Sequence, residues 1–406
     1  MAEKLVPNLR FAGFNDEWAS QKFKDNLDIK SGKGFKASEY SKIGIPLLKI
    51  DNVSYGKVSW ETKDYLPREY LDKYPDLVLK ADDIVLALNR PITNNKLKIA
   101  KLTKEDEISI LYQRVGKIFV NEDSINKEFI FQLLNKEIFR FVLKNSVGSD
   151  QPFISTNQLK ELEFNVPQFE EQEKIGKFLF FINTKIELLE KKYLGYQDFK
   201  KYLMQQIFTQ KLRFNFTDEW KVVKLETLIK KGKAGGTPSS TNSDYYNGDI
   251  PFLSIKDMTE QGKYIVKTEK SITNEGLNNS SAWIIPEYSL LYSIYASIGL
   301  VAINRTEIST SQAIYGIILK EGVSLEYMYY YLTYFKKNVH RYIETGTQGN
   351  LNAKLLKSFE VLLPSLKEQE MIVNILSLAD EKIDNTEKEI IKMNEFKKGL
   401  LQQMFI

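Results

Sequence analysis

The sequence predicts an α+β protein: two globular modules of mixed α/β structure separated by two long helices that pair as an antiparallel coiled coil, the whole being a pseudo-two-fold internal repeat. Three observations carry this. A helical stretch beginning Pro167-Gln168-Phe169-Glu170-Glu171-Gln172-Glu173 returns 197 residues later as Pro364-Ser365-Leu366-Lys367-Glu368-Gln369-Glu370. Each stretch carries an apolar seam with 4-3 spacing. The segments before each stretch are rich in short β-type runs broken by turn residues.

The 197-residue offset holds without a gap to Phe199-Lys200-Lys201 against Phe396-Lys397-Lys398. Upstream the repeat is looser. Arg10-Phe11 with Asp16-Glu17-Trp18 returns as Arg213-Phe214 with Asp218-Glu219-Trp220, and Ile45-Pro46 returns as Ile250-Pro251. Scaffold positions survive while the residues between them differ, as expected of one frame serving two different targets. The implied organisation is a module over 1–166, a helix over 167–210, a second module over 211–363 and a second helix over 364–406.

Within the first module, Ile45–Ile50, Asp83–Leu88 and Gly116–Val120 read as strands, and Lys127–Leu143 as a helix. After Pro167 the seam runs Ile175, Leu179, Ile182, Ile186, Leu189, Tyr193, Tyr196, Lys200, Leu203, Ile207. Repetition every 3.5 residues keeps one face toward a partner helix only if the pair supercoils. The second module repeats the pattern, with strands over Ile250–Ile255, Ser289–Ile294 and Gly316–Leu319 and a helix over Leu325–Ile343. Its seam runs Ile372, Leu376, Ala379, Ile383, Thr386, Ile390, Met393, Lys397, Leu400, Met404. The two seams are expected to be each other's partners, each helix being about 57 Å long at 1.5 Å per residue. Antiparallel pairing places one module at each end.

Composition narrows the chemistry. The 406 residues exceed one ordinary core, and a net charge of +4 permits a polyanionic partner without requiring one. There is no cysteine and one histidine, His340, so disulfides, thiolate zinc sites and cysteine nucleophiles are excluded. No stretch has the length and apolarity of a membrane span, so no membrane partner and a cytoplasmic location are expected. Gly32-Lys33-Gly34 and Gly232-Lys233 lack the spacing of a phosphate-cradling loop, and there is no Pro-Pro pair for an adenine methyltransferase motif. No catalytic residue, metal ligand or bound cofactor is expected in this chain.

What remains are polar loops mixing cations, amides and aromatics, the residue types that read base edges and hold phosphates. In the first module the candidates for DNA contact are Lys33, Lys36, Asn89, Arg90, Asn94, Asn95, Lys96, Lys98 and Gln151. In the second they are Lys231, Lys233, Thr237, Ser239, Ser240, Tyr292, Ser293, Tyr295, Ser297, Gln348 and Asn350. Each loop alone also reads as an ordinary solvated turn.

Taken together, the repeated Pro-x-x-x-Glu-Gln-Glu and Phe-Lys-Lys-x-Leu-x-Gln-Gln motifs, Gly235-Gly236-Thr237-Pro238-Ser239 with Tyr245-Tyr246, and the Arg-Phe to Glu-Trp lead-ins resemble the specificity (S) subunit of type I restriction–modification enzymes. The first module departs from this pattern, with Ser31-Gly32-Lys33-Gly34-Phe35-Lys36 in place of Gly-Gly-Thr-Pro-Ser. The resemblance implies two target-recognition domains reading the halves of a bipartite double-stranded DNA site. The helices would set the spacing. It also implies that catalysis lies on partners: two methyltransferase subunits using S-adenosylmethionine, and restriction/translocase subunits using ATP and Mg²⁺.

Large apolar residues off the seam recur at the same 197-residue offset. Phe178, Phe181, Phe199 and Phe208, with Ile375, Leu378, Phe396 and Phe405, are the candidates for docking the methyltransferase subunits; packing against the globular modules is the alternative. A stand-alone bipartite DNA-binding regulator, the recognition part of a fused nuclease-methyltransferase and a non-DNA scaffold also remain open.

Overall fold

The computed structural model describes residues 5–145, 153–341 and 351–406. It divides into two units: Met1–Leu189 with Glu389–Ile406, and Glu190–Lys388.

Unit 1 contains two four-stranded sheets. One has the order β2 (Leu27–Ser31), β11 (Val115–Val120), β6 (Ile84–Ala87) and β9 (Ile99–Lys101), all pairs antiparallel. In the other, β3 (Ile45–Leu48) and β10 (Ser109–Leu111) run parallel at the centre, flanked by β4 (Tyr65–Leu66) and β5 (Val78–Leu79). A hairpin joins β7 (Ile92–Thr93) to β8 (Lys96–Leu97), and β1 (Ala19–Lys22) pairs with β12 (Glu163–Val166). Helix α1 (Lys127–Asn145) supplies the apolar face, including Phe129, Ile130, Leu133 and Leu134, on which the main core is built.

Unit 2 repeats the plan. A five-stranded sheet has the order β14 (Ile229–Ala234), β21 (Ile314–Leu319), β18 (Leu290–Ser293), β19 (Val301–Asn304) and β16 (Tyr264–Ile265). A three-stranded sheet has β15 (Tyr246–Leu253) parallel to β20 (Ser309–Thr310) and antiparallel to β17 (Lys270–Ile272). Strands β13 (Lys221–Lys224) and β22 (Glu360–Leu363) pair as β1 and β12 do. The expected second-module helix is shorter than its pattern: α3 (Leu325–Phe335) is α-helical, and the chain tightens into a 3₁₀ turn over Lys336–Arg341. Such turns commonly finish α-helices because a three-residue repeat closes the last carbonyls locally. Residues 342 and 343 lie outside the described residues.

The two long helices are α2 (Phe169–Phe208) and α4 (Leu366–Met404). Each contributes one half to each unit. In unit 1, Leu9 N–H donates to Gln403 O and Arg10 grips Glu171, so the end of α4 lies beside the start of α2. Ile175, Leu179, Ile182 and Ile186 share the unit's core with Leu400 and Met404. In unit 2, Lys200 pairs with Asp380 while Tyr193 lies near Asp384 and Glu387. The segments therefore run antiparallel in each unit, as the seams predict.

The Pro-x-x-x-Glu-Gln repeat is a joint. Glu171 and Glu368 are almost fully buried, 0% and 1% exposed at the side chain, and accept two bonds each from Arg10 and Arg213 of the lead-ins. The neighbouring Gln172 carboxamide accepts from Asn126 N–H at 3.0 Å and donates to Pro167 O at 2.9 Å. Gln369 does the same with Ser324 N–H at 2.9 Å and Pro364 O at 3.0 Å. Asn126 and Ser324 are also the side chains that cap the first turns of α1 and α3, through Phe129 N–H and Tyr327 N–H. A buried carboxylate and a buried carboxamide are tolerated here because each is hydrogen-bonded on both sides.

Trp18 and Trp220 complete the joints. Trp18 meets Phe129 and Phe405 edge-on at 5.8 and 6.2 Å, and Trp220 meets Tyr327 at 6.5 Å, with Phe208 6.0 Å from the same tyrosine. No helix among the described residues is long and apolar enough to cross a membrane.

Candidate nucleic-acid interface

In unit 1, β2 runs into Gly32-Lys33-Gly34-Phe35-Lys36. Gly32 is required by close approach: a Cβ there would lie 2.3 Å from Leu111 O. Phe35 turns inward, 8% exposed, and packs on Tyr70, Tyr74 and Tyr112. Lys33 and Lys36 stay exposed, with the Lys33 ammonium 4.7 Å from the Tyr74 ring centre. Lys73 stands 5.0 Å from the Tyr70 ring, and Lys49 lies 4.9 Å from Tyr40 while pairing with Asp64. This basic and aromatic patch includes Lys49 and Lys73, which the sequence pattern did not single out. The Tyr70 hydroxyl donates to Glu39, and that bond, with burial, pushes its pKa up to about 12.

The Leu88–Lys98 loop ends in the β7–β8 hairpin. Asn94 and Asn95 form its two-residue turn with φ of +51° and +55°, the left-handed pair that a type I′ turn demands and that asparagine tolerates. Arg90 also has positive φ, +45°. Arg90, Asn94, Asn95 and Lys96 are exposed, and Lys96 lies 5.5 Å from the Tyr55 ring. Asn89 is half-buried and bridged to Phe153. Lys98 is half-buried, donates to Ile50 O at 2.6 Å, and has its pKa lowered by burial; it is committed to the fold more than to solvent.

In unit 2, Lys231 and Lys233 project from edge strand β14, both exposed, with Lys231 4.8 Å from the Trp283 ring. Gly235 and Gly236 admit no side chain, because added Cβ atoms would lie 2.1 Å from Thr310 O and 2.1 Å from Ser281 Oγ. The strand is thereby pressed into its neighbours and the loop beyond it starts from a fixed point. Thr237 there donates to the Gln312 side-chain oxygen. Ser239 Oγ lies 2.8 Å from Thr241 Oγ1, and Ser239 and Ser240 are exposed. Tyr295 and Ser297 are exposed on the loop after β18. Among the described residues Lys33, Lys36, Lys231 and Lys233 form no ion pair, so their charges are available to a ligand.

Several expectations require correction. Tyr292 and Ser293 are fully buried: β18 is an interior strand, Tyr292 packs on Phe359 at 6.1 Å, and Ser293 Oγ is spent on Ser297 O and Leu300 N–H. Neither touches a ligand. Of the docking candidates, Phe208 and Phe405 are 2% and 4% exposed and belong to the cores around Trp220 and Trp18. They support the modules and present no surface. Phe178 and Ile375 are half-buried, Phe178 edge-on to Phe11 at 5.7 Å. By contrast Phe181, Phe199, Leu378 and Phe396 are 53–58% exposed. Gln151, Gln348 and Asn350 lie outside the described residues.

Two exposed side chains that no motif marked, Gln113 and Gln312, sit directly beside the glycine loops. Gln113 N–H donates to Lys33 O at 3.1 Å, and Gln312 meets Thr237 as described. The signal that could have found them is the repeat itself: both lie just before a buried strand, β11 or β21, at nearly the same offset as their glycines.

Comparison with known proteins agrees with this duplicated arrangement. The family model for the type I restriction modification DNA specificity domain matches twice, over residues 15–194 and 217–395. The type I restriction enzyme MjaVIII specificity subunit of Methanocaldococcus jannaschii is 45% identical over 199 residues, covering 49% of this chain and 47% of that protein. This chain thus spans about half the length of that curated relative in the match. The putative type I restriction enzyme MjaX specificity subunit of the same organism is 26% identical over 411 residues, covering 95% and 92%. In fold, the chain is similar to the crystal structure of the type I restriction-modification system S subunit from M. genitalium, with 15% identity, 99% coverage of both chains and a TM-score of 0.61.

Proposed function

Since the chain belongs to the type I restriction modification DNA specificity family, we propose that it is the DNA-reading subunit of a type I restriction–modification complex and is not catalytic by itself. Each recognition domain, residues 1–166 and 211–363, reads one half of a bipartite double-stranded target. The observation that carries this reading is the duplication of one exposed loop set. In the first unit Lys33 and Lys36 follow β2, and Arg90, Asn94, Asn95 and Lys96 follow β6; in the second Lys231 and Lys233 lie on β14, Thr237, Ser239 and Ser240 follow it, and Tyr295 and Ser297 follow β18. Free cations hold phosphates and fix register, while amides and hydroxyls discriminate base edges.

The helices over 167–210 and 364–406 set the distance between half-sites. Catalysis is supplied by two methyltransferase subunits, which take S-adenosylmethionine and methylate adenine N6, and by restriction/translocase subunits, which take ATP and Mg²⁺. The methylated adenine must leave the stack to be reached, so the recognition domains hold the duplex while a partner receives the base. The exposed Phe181, Phe199, Leu378 and Phe396 dock the methyltransferase subunits, and the complex works in the cytoplasm.

Methylome sequencing of the host with and without the gene tests the reading. One bipartite adenine-methylation motif disappears with the gene. DNA binding by this chain with every methylation motif unchanged points instead to a stand-alone regulator.

A further inference from the structure

Gln113 and Gln312 occupy matching places in a backbone arrangement that the two units share. In unit 1, Gly32 N–H donates to Val115 O at 3.0 Å, and the next N–H, from Lys33, to Leu111 O at 3.4 Å. In unit 2, Gly235 N–H donates to Ile314 O at 2.9 Å, and the next N–H, from Gly236, to Thr310 O at 3.0 Å. Both times two successive donors reach carbonyls four residues apart. Both times the residue two beyond the inner acceptor is an exposed glutamine, Gln113 after Leu111 and Gln312 after Thr310.

The match extends to the surroundings. A Cβ on Gly32 would lie 2.3 Å from Leu111 O and one on Gly235 2.1 Å from Thr310 O, so each glycine seats its loop against the end of the strand, β10 or β20, that leads into the glutamine's turn. The residue two beyond each glycine faces the carboxamide oxygen. A Cβ on Gly34 would come within 2.7 Å of Gln113 Oε1, and the Thr237 hydroxyl donates to Gln312 Oε1. The lead-ins, helices and joints are repeated for structural reasons stated above. The two glutamines lie in neither core nor joint, and their side chains meet different partners, Tyr112 and Thr237, and yet residue type and placement recur.

We infer that Gln113 and Gln312 are specificity-determining residues, each reading one adenine of its own half-site; the inference rests on the DNA-reading function proposed above. A carboxamide carries a donor and an acceptor side by side, which fits the N6 donor and N7 acceptor of adenine in the major groove. The neighbouring lysines offer donors alone and suit phosphate or guanine. Gln312 reads with a preset orientation, because Thr237 donates to its oxygen, leaving one lone pair and both Nε2 hydrogens for the base. Gln113 faces bare Gly34, with Nε2 3.2 Å from the Tyr112 hydroxyl, and keeps more rotational freedom. Discrimination is therefore stricter at the Gln312 half-site.

The test is methylome sequencing of the host carrying the full chain, Gln113→Ala or Gln312→Ala, alongside its own methyltransferase subunits. Each variant relaxes one adenine position of one half-site by about tenfold to a hundredfold, the discrimination carried by a good bidentate pair, and leaves the other half-site intact. Gln113→Glu and Gln312→Glu, which keep the shape but remove the donor, move the preference at that position from adenine toward cytosine. An unchanged motif in the alanine variants, or equal loss over both half-sites in the alanine and glutamate variants alike, overturns the inference. If the unsubstituted chain yields no bipartite motif, the proposed function fails first, and that result is distinct from either.

Discussion

Arg10 meets Glu171 through two parallel hydrogen bonds, Nε to Oε1 and Nη2 to Oε2, both 2.7 Å, with the carboxylate wholly shielded from solvent. Arg213 and Glu368 repeat the geometry at 3.0 and 2.8 Å. A buried pair contributes little net stability beyond an apolar equivalent, but removing one member strands a charge. Arg10→Ala should therefore cost about 3–5 kcal/mol, and Arg10→Leu with Glu171→Met much less. Denaturant unfolding of the three proteins measures this; equal losses for the single and double variants would refute the stranded-charge account.

Gln172→Ala removes the partner of two backbone groups, the part-buried Asn126 N–H and the buried Pro167 O. Each orphaned group costs roughly 1–3 kcal/mol. Hydrogen exchange at Asn126 and the first turn of α1 should accelerate accordingly, while exchange in β6 stays slow. Gln369→Ala should do the same at Ser324 and the first turn of α3.

Alkaline pH should weaken unit 2. Burial raises the pKa values of Tyr292, Tyr327, Tyr329 and Tyr330, and the bond from Tyr330 to Asp380 adds to the effect. These hydroxyls stay protonated in the folded chain, whereas unfolded tyrosines ionise near pH 10. Stability is thus level below about pH 10 and falls above it by about 1.4 kcal/mol per pH unit for each tyrosine held protonated. Melting scans between pH 9 and 12 test the slope, which Tyr330→Phe should make shallower by one tyrosine's share.

Phe199→Asp combined with Phe396→Asp should abolish co-purification with the methyltransferase subunit. Both side chains are 53% exposed, so stability should change by no more than about 0.5 kcal/mol. Retention of the complex would move docking elsewhere.

Inserting one heptad into both long helices, near Leu194 and Ile391, should lengthen the preferred spacer between half-sites, while insertion into one alone should abolish methylation. Methylation assays on targets of graded spacer length measure the optimum, and an unchanged optimum argues against a spacing role.

Much of this architecture was legible because the repeat is densest where hydrogen bonding is most demanding. Glu171, Gln172 and their counterparts recur unchanged because few other side chains satisfy the same buried partners. The loops were harder to read. Tyr292 and Ser293 were read with the polar loop that follows them, but all four residues of β18 are buried because the strand is covered on both faces. Phe208 and Phe405 looked like surface residues because they lie off the helix seam; the aromatic rings that cover them, Tyr327, Tyr331 and Tyr334 for Phe208 and Trp18 for Phe405, are remote in sequence. Gln113 and Gln312 had no local motif to mark them; only their place in the repeat, just ahead of β11 and β21, could have done so, and the backbone hydrogen bonds make that correspondence plain.

The joint at Glu171 and Gln172 has an implication for how such chains diversify. On the module side its bonds ask for one arginine in the lead-in and one backbone N–H ahead of α1, and nothing of the loops that face outward. A foreign stretch recombined between those points would find its attachment already made. Novelty can thus arrive wholesale, as an exchangeable cassette, without the anchoring chemistry having to be reinvented.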